Sequence, residues 1–241
     1  MNNKEDSFKE KFRLALVSTA KVISDDYKIN INKIDKNFDF NNTNFLEINN
    51  LSDKNDFIKL RAEADTAALK KKFSDKEIFN KNLPKNSSCK SLYNIAEKIR
   101  YEALGSKMLK GIEKNLSENY YQKINLKSKD QLKTKKDVPV TDAFELYMLK
   151  KFMNINLNSL SSKILSFWEK DFNLSIDQHT DFLNKNLENQ NIYSSKFSEI
   201  LQEMDIFSSE NDENNDKDEN TENEQENESN MGDENQLESE E

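Results

Sequence analysis

The sequence predicts a mainly α-helical protein: a multi-helix domain with one or two short β-strands near the N-terminus, followed by a disordered acidic tail. Only three glycines and two prolines interrupt the 241 residues, which favours long helices over a strand-rich fold. Apolar residues recur every three or four positions over most of residues 1–207, as amphipathic helices require. The last 34 residues lack this pattern.

The two parts of the chain differ strongly in charge. Residues 208–241 hold fifteen acidic residues and one lysine, and their only apolar residues are Met231 and Leu237, so this segment has a net charge of −14. Because the whole chain has a net charge of −9, residues 1–207 carry +5. An acidic, apolar-poor segment cannot bury enough surface to offset the entropy of ordering. We therefore expect a helical domain over residues 1–207 and a disordered linker or tail over residues 208–241.

The first predicted secondary-structure elements follow from changes in the spacing of apolar residues. A capping box at Ser7 and Glu10 predicts the start of a helix over residues 8–24. From Tyr27 onwards, apolar residues alternate with asparagine and aspartate, which predicts one or two short strands or a small hairpin. Helical spacing returns over residues 56–73.

The organising element is the segment 92–116. It is free of proline and apolar at helical spacing, which predicts one continuous helix about 35 Å long at 1.5 Å per residue. We expect the other elements of the ordered part to pack on it. Its apolar positions are Leu92, Ile95, Ile99, Ala103, Leu104, Met108, Ile112 and Leu116.

The second half of the domain continues with helical patterns. The lysine-rich segment 117–136 has two tyrosines among its apolar anchors. Pro139 precedes a helix that runs to Phe152, and apolar spacing over residues 160–168 predicts another. A second capping box at Ser175–Gln178 predicts the start of a helix containing Phe182, Leu183 and Leu187. A final helix carries Ile192, Phe197, Ile200, Leu201 and Met204.

The residues needed for disulfide bonds, cysteine zinc sites and phosphate-binding loops are too few or wrongly spaced in this sequence. Cys89 is the only cysteine and His179 the only histidine, so no disulfide framework and no cysteine zinc site is expected. The spacing of Gly105 and Gly111 does not match a phosphate-binding P-loop, which needs four intervening residues followed by Lys-Ser/Thr. We expect no catalytic, cofactor-binding or metal-binding residues in this chain, and His179 to be a lone surface or boundary residue.

The chain has no leader-like or membrane-length apolar run, so we expect a cytoplasmic protein that does not enter a membrane. Nucleic-acid binding is also disfavoured, because the domain's charge is modest and an acidic segment shares the chain. The lysine runs at Lys70–Lys72 and Lys133–Lys136 are interpreted as solvated helix faces.

The three arginines stand out among 36 basic residues. Arginine can hold a carboxylate with two parallel hydrogen bonds, which lysine cannot. Arg61 has Asp65 one turn away, and Arg100 is flanked by Glu97 and Glu102. Each pair is either an ordinary contact within one helix, worth a few tenths of a kcal/mol, or a clamp between helices or subunits.

The two glycines within the predicted central helix raise a similar question. Glycine in a helix costs about 1 kcal/mol relative to alanine. Gly105 and Gly111 therefore indicate either close packing against another helix or a surface that a partner protein binds.

Two blocks of sequence resemble a known family. The blocks Leu60–Leu69 (LRAEADTAAL) and Arg100–Leu116 (RYEALGSKMLKGIEKNL) are similar to the N-terminal region of the T subunit of ATP-dependent cobaltochelatase (CobT). Weaker matches, including Pro139, Trp168 and Gln190, occur in the same order along the chain. On this resemblance the candidate subunit-interface or clamp residues are Arg61, Asp65, Arg100, Glu102, Gly105, Met108, Gly111 and Asn115.

The resemblance implies a role in cobalamin biosynthesis. In that family the T subunit works with an AAA+ ATPase subunit and a large corrin-binding subunit as a hetero-oligomer, and Co²⁺ is inserted into hydrogenobyrinic acid a,c-diamide. The resemblance implies that the complex uses ATP and Mg²⁺ with Co²⁺ as substrate, and that this chain itself binds none of them. Family members continue past the acidic linker into a von Willebrand factor A-type domain, which this sequence lacks, so we expect more sequence to follow. Where the family tends to carry histidines, this chain has Ser74 and Phe79.

An alternative remains open from the residues. The chain could be a non-enzymatic helical adaptor whose acidic tail binds basic partner proteins, in which case binding should fall steeply with salt.

Overall fold

The computed structural model describes residues 2–28, 54–126 and 134–204, and the mainly helical prediction is confirmed there: these residues form helices and turns without a strand. The helices are α1 (Asn2–Ser24), α2 (Lys54–Phe73), α3 (Lys76–Lys81), α4 (Ser87–Met108), α5 (Lys110–Leu126), α6 (Val140–Phe152), α7 (Ser159–Ser166), α8 (Glu169–Ile176), α9 (Thr180–Lys185) and α10 (Gln190–Gln202). The predicted strands fall within residues 29–53 and lie outside the described residues, as does the predicted tail at 208–241.

The central element differs from its prediction. The segment 92–116 is not one helix but belongs to two, α4 and α5, which pack against each other as a hairpin. Leu109 separates them with extended backbone angles, φ −140° and ψ 122°. The apolar spacing of the two helices nearly continues across the break, which is why the pattern alone predicted a single rod.

Both predicted capping boxes are wrong. α1 begins at Asn2, so Ser7 lies inside the helix. Ser175 lies in the last turn of α8, and a 3-10 turn at Asp177–His179 leads into α9. These boxes are short polar motifs, and neither one marks the start of a helix: α1 runs through the first, and α8 ends within the second.

Other helix boundaries agree closely with those predicted from the sequence. α2 covers the predicted segment 56–73, α6 starts directly after Pro139, and α10 covers the predicted final helix except Met204. The short helix α3 was not predicted. The side chain of Asp75 caps it by accepting hydrogen bonds from the amides of Glu77 and Ile78.

α4 lies at the centre of the packing. It contacts α2, α5, α6 and α10, while α1 packs on α2. Its buried face includes Leu92 and Ile99, which are inaccessible to solvent. A second part of the core joins α6, α8 and α10 through the edge-to-face rings of Phe144, Phe172 and Phe197. Among the described helices, none is long and apolar enough to cross a membrane.

Candidate functional site: buried polar contacts of α4 and the tip of the α4–α5 hairpin

Arg100 is buried in the middle of α4 and makes an ion pair with Glu97 of the same helix. Its Nε and Nη2 atoms each donate to a different Glu97 carboxylate oxygen, both at 2.8 Å. The side chains of Arg100 and Glu97 are 0% and 4% exposed. A pair so well shielded from water must have its remaining hydrogen-bonding groups satisfied, because unpaired buried charge is costly.

The rest of the Arg100–Glu97 pair is satisfied by three other parts of the chain. Arg100 donates to the backbone carbonyls of Phe73, at the end of α2, and Leu187, just before α10. Glu97 accepts hydrogen bonds from Ser74 at 2.8 Å, Gln190 at 2.9 Å and Ser194 at 3.4 Å. One ion pair therefore ties α4 to the end of α2 and to the start of α10.

Gln190 extends this network to the surface. Its side-chain oxygen accepts from the amide of Asp75 at 2.7 Å, and its nitrogen donates to the Asp75 carbonyl at 3.1 Å. An open cleft of about 630 Å³ lies above, lined by Lys72, Phe73, Ser74, Asp75, Ile78, Glu188, Asn189, Gln190 and Asn191. The polar groups on its floor are already paired with one another.

Glu102, the other neighbour of Arg100 in sequence, makes a separate contact one turn further along α4. It accepts a hydrogen bond from Thr66 of α2 at 2.7 Å and another from the Tyr120 hydroxyl of α5. Glu102 is 1% exposed and Tyr120 2%. Burial, reinforced by the negative charge of Glu102, raises the pKa of Tyr120 well above its ordinary value. Tyr120 therefore remains a neutral donor to this carboxylate.

Two lysines flank the ring of Tyr120. The Nζ atoms of Lys98 and Lys123 lie 5.4 and 5.5 Å from the ring centroid, within the range of cation–π attraction. Lys98 also faces Glu145 of α6 at 3.6 Å. Burial opposes the charged form of Lys98, but the attraction of Glu102 and Glu145 outweighs it and raises the pKa of this lysine. The result is a charged layer that joins α4, α5 and α6.

Asp65 pairs with Asn115 rather than with Arg61. The Asn115 amide donates to Asp65 Oδ2 at 2.7 Å and links α2 to α5. Asp65 is 4% exposed, whereas Arg61 lies on the exposed face of α2. Burial raises the pKa of Asp65, while the Asn115 hydrogen bond and the charge of Arg61 act in the opposite direction. The sequence left open an intrahelical pair or a clamp for Arg61 and Asp65, and the structure shows a carboxylate–amide contact between α2 and α5 at Asp65.

Gly105 of α4 packs directly against Leu69 of α2. A Cβ atom at this position would lie 2.4 Å from both δ-carbons of Leu69, and Leu69 is fully buried. Since real Cβ contacts are essentially never so short, any larger residue at position 105 would require the buried Leu69 side chain to move or the two helices to separate. Close helix approach is therefore the structural explanation for this glycine.

The hairpin tip, residues 107–111, is built differently. Leu109 serves both helices, since its amide donates to the Gly105 carbonyl at 3.0 Å while its carbonyl accepts from the amides of Ile112 and Glu113 at 3.0 and 3.1 Å. Met108 is 39% exposed and Leu109 46%. Gly111 is exposed, and a Cβ atom there would meet nothing within 4 Å among the described residues.

The eight candidate residues thus fall into two groups. Arg100, Glu102 and Gly105 are buried contacts of α4 with its neighbours, and buried Asp65 of α2 contacts half-buried Asn115 of α5. Arg61, Met108 and Gly111 are exposed. Whether any of the eight contacts another subunit stays a prediction.

Sequence reasoning did not assign polar roles to Thr66, Tyr120 and Gln190. Tyr120 was interpreted only as an apolar anchor. The sequence does show a polar group on the buried face of a helix, but it does not show which residue this group contacts. His179 is half-buried in the 3-10 turn before α9, and Cys89 is buried, with its thiol donating to the Leu201 carbonyl at 3.5 Å.

In residues 8–28, 54–125 and 134–204, no group of three or more histidine, cysteine, aspartate or glutamate side chains is placed to hold a metal ion.

Comparison with known families identifies the chain. The family model described as cobalamin biosynthesis protein CobT matches residues 6–241. This range includes both blocks on which the resemblance was based and every described helix from α2 to α10. No solved structure matches the chain. Because the match covers nearly all of the sequence, the chain belongs to the CobT family of cobalamin biosynthesis proteins.

Proposed function

We propose that this chain is the docking scaffold of an ATP-dependent cobaltochelatase. Membership of the CobT family implies a part in cobalamin biosynthesis as a cobaltochelatase subunit. The proposal adds that the helical body binds the AAA+ ATPase subunit and the large corrin-binding subunit in the cytoplasm. Those subunits would use ATP and Mg²⁺ to insert Co²⁺ into hydrogenobyrinic acid a,c-diamide, so the reacting groups would lie outside this chain.

The observation that carries the proposal is the Arg100–Glu97 ion pair. It reaches the end of α2 through the Phe73 carbonyl and the start of α10 through Gln190, so it fixes helices that are distant in sequence around α4. A subunit that transmits force from an ATPase must resist deformation between its docking surfaces. Buried, fully hydrogen-bonded charges favour one arrangement of helices over alternatives. This arrangement supports a scaffold.

The test is reconstitution with the candidate ATPase subunit. The two proteins are co-expressed and analysed by size-exclusion chromatography without nucleotide, with ADP and with a non-hydrolysable ATP analogue. We expect co-elution in at least one nucleotide state. Co²⁺ insertion is then measured with the large subunit, and we expect ATP-dependent product only when this chain is present.

Two results would contradict the proposal. One is the absence of co-elution in every nucleotide state. The other is ATP-dependent insertion at an unchanged rate when this chain is omitted. Hydrolysis of ATP by the chain alone would show that it is itself the motor rather than a scaffold.

A further inference from the structure

The hairpin tip contains two residue choices that the fold of this chain does not require. Leu109 supplies the carbonyl that starts α5, a position where asparagine, aspartate and serine are preferred and leucine is unfavourable. Gly111 follows in the first turn of α5, where a Cβ atom would contact nothing among the described residues. Alanine is the better helix former at such a position. Leu109 and Gly111 therefore both make the N-terminus of α5 less stable in the isolated chain.

The apolar surface of the tip is contiguous. Met108 and Leu109 are neighbours in sequence, and both are substantially exposed at the point where the chain reverses. Connecting residues normally face water and are polar. An exposed Met-Leu pair at a turn therefore resembles the small apolar centre of a protein contact surface.

Positive charge surrounds this apolar centre. Lys107 is exposed, and the side chains of Lys110 and Lys114 are 92% and 74% exposed. Lys110 pairs with Glu113 at 2.8 Å and Lys114 with Glu118 at 3.8 Å on the same helix, but such exposed pairs contribute little. Around the tip three lysines face two carboxylates, which leaves one net positive charge.

The charge argues against a second copy of this chain as the occupant. A two-fold symmetric contact would place the same lysine-rich rim against itself, and like charges across an interface are unfavourable. A partner with acidic residues around an apolar socket would match both features.

The base of the tip is rigid. Gly105 packs directly on Leu69 just before it, and the Asp65–Asn115 hydrogen bond holds α5 to α2 just after it. A projection that is already ordered loses little conformational entropy on binding.

We infer that the hairpin tip, residues 107–111, inserts into an apolar socket with an acidic rim on the ATPase subunit. This inference rests on the proposed function and adds the surface by which docking occurs. The absence of a side chain at Gly111 lets the socket wall approach the backbone of α5. Lys107 and Lys110 face the acidic rim, and Met108 and Leu109 fill the socket.

The experiment uses variants that remove docking groups without weakening the fold. Leu109→Asn places a preferred capping residue before α5, and Gly111→Ala adds one methyl group where no described residue lies within 4 Å. Leu174→Asn is the matched control, because Leu174 is a 71% exposed leucine on α8. Binding of each full chain to the purified ATPase subunit is measured by titration calorimetry in the nucleotide state that supports co-elution, and melting temperatures are measured in parallel.

We expect Leu109→Asn to weaken binding by about tenfold or more, as for central interface residues, and Gly111→Ala to weaken it several-fold. Their melting temperatures should stay within about 3 °C of the parent, and Leu174→Asn should bind like the parent. Lys107→Glu should also weaken binding, and the parent's affinity should fall as salt rises from about 50 to about 300 mM.

The outcomes separate this inference from the proposed function. If the parent chain binds the ATPase subunit and both tip variants bind equally well, the docking surface lies elsewhere and the inference is wrong while the function stands. If the parent binds in no nucleotide state, the function fails and the inference with it. If Leu109→Asn instead disrupts a dimer of this chain without affecting ATPase binding, the occupant is a second copy and the inference is overturned.

Discussion

Gly105 of α4 lies directly against Leu69 of α2, so that a β-carbon at position 105 would fall 2.4 Å from the leucine δ-carbons. We expect Gly105→Ala to destabilise the protein. Overpacking of a core costs about 1–3 kcal/mol, and alanine recovers about 1 kcal/mol of helix propensity. Since the clash is severe and Leu69 is fully buried, a net loss of about 2 kcal/mol is expected in urea unfolding.

Gly111→Ala provides the comparison within the same hairpin. Its added methyl group meets open space among the described residues, so the free energy of unfolding should be unchanged or slightly raised. Equal stability of both variants would show that α2 and α4 separate more easily than their packing indicates.

A second prediction concerns the buried ion pair of α4. Arg100→Met leaves the Glu97 carboxylate buried without its cation, and breaking such a pair typically costs about 3–5 kcal/mol. Arg100→Lys should also be damaging, because lysine cannot make two parallel hydrogen bonds to one carboxylate. Chemical unfolding measures both effects.

The control for this prediction is the exposed arginine. Arg61→Met should change stability by less than about 0.5 kcal/mol, as expected for a surface position. The double variant Arg100→Met with Glu97→Gln should be more stable than Arg100→Met alone, because the amide keeps hydrogen-bond acceptance without an uncompensated charge. If the double variant is worse by the sum of the two single losses, the ion pair contributes no coupling energy.

A third prediction concerns the link between α4 and α5. Tyr120→Phe removes the hydroxyl that donates to Glu102 and leaves this buried carboxylate with Thr66 as its side-chain donor. Loss of a donor to a buried charged group costs about 1–3 kcal/mol. Tyr121→Phe, at a 38% exposed position next in sequence, should have little effect on the unfolding midpoint. A similar loss for both tyrosines would indicate that ring packing, rather than the hydrogen bond to Glu102, determines the result.

The helical class and most helix positions could be predicted because burial imposes a period near 3.6 on apolar residues. The break at Leu109 could not, because Met108 and Ile112 keep that period across it and no proline or asparagine marks the turn. The nearby Gly111 was the only local signal, and glycine alone does not distinguish a helix start from a helix interior.

The candidate residues show the same limit. Their sequence spacing drew attention to Asp65, Arg100 and Glu102, but left open whether each makes a contact within its own helix or a clamp between helices or subunits. For Arg100 the partner Glu97 was within reach of that reasoning. For Asp65 and Glu102 the partners Asn115 and Tyr120 lie on α5, and this pairing exists only because the chain reverses at Leu109.

The last prediction follows from the buried carboxylate of Asp65. Because burial raises its pKa above that of an unfolded aspartate, near 3.9, the folded state binds this proton more tightly than the unfolded state. Stability contributed by this group is therefore greatest below the unfolded pKa and declines as pH rises through the folded one. Asp65→Asn keeps an acceptor for Asn115 and removes the charge. We expect this variant to be more stable than the parent at pH 7, because it lacks the negative charge that burial disfavours. That advantage should disappear as pH is lowered towards about 4, as followed by urea unfolding across the range.

Asn115→Ala, which removes the donor, should instead be less stable than the parent at pH 7 and approach it in acid. If Asp65→Asn is destabilised equally at every pH, the carboxylate makes a further charge-dependent contact that its burial and the Asn115 hydrogen bond do not account for.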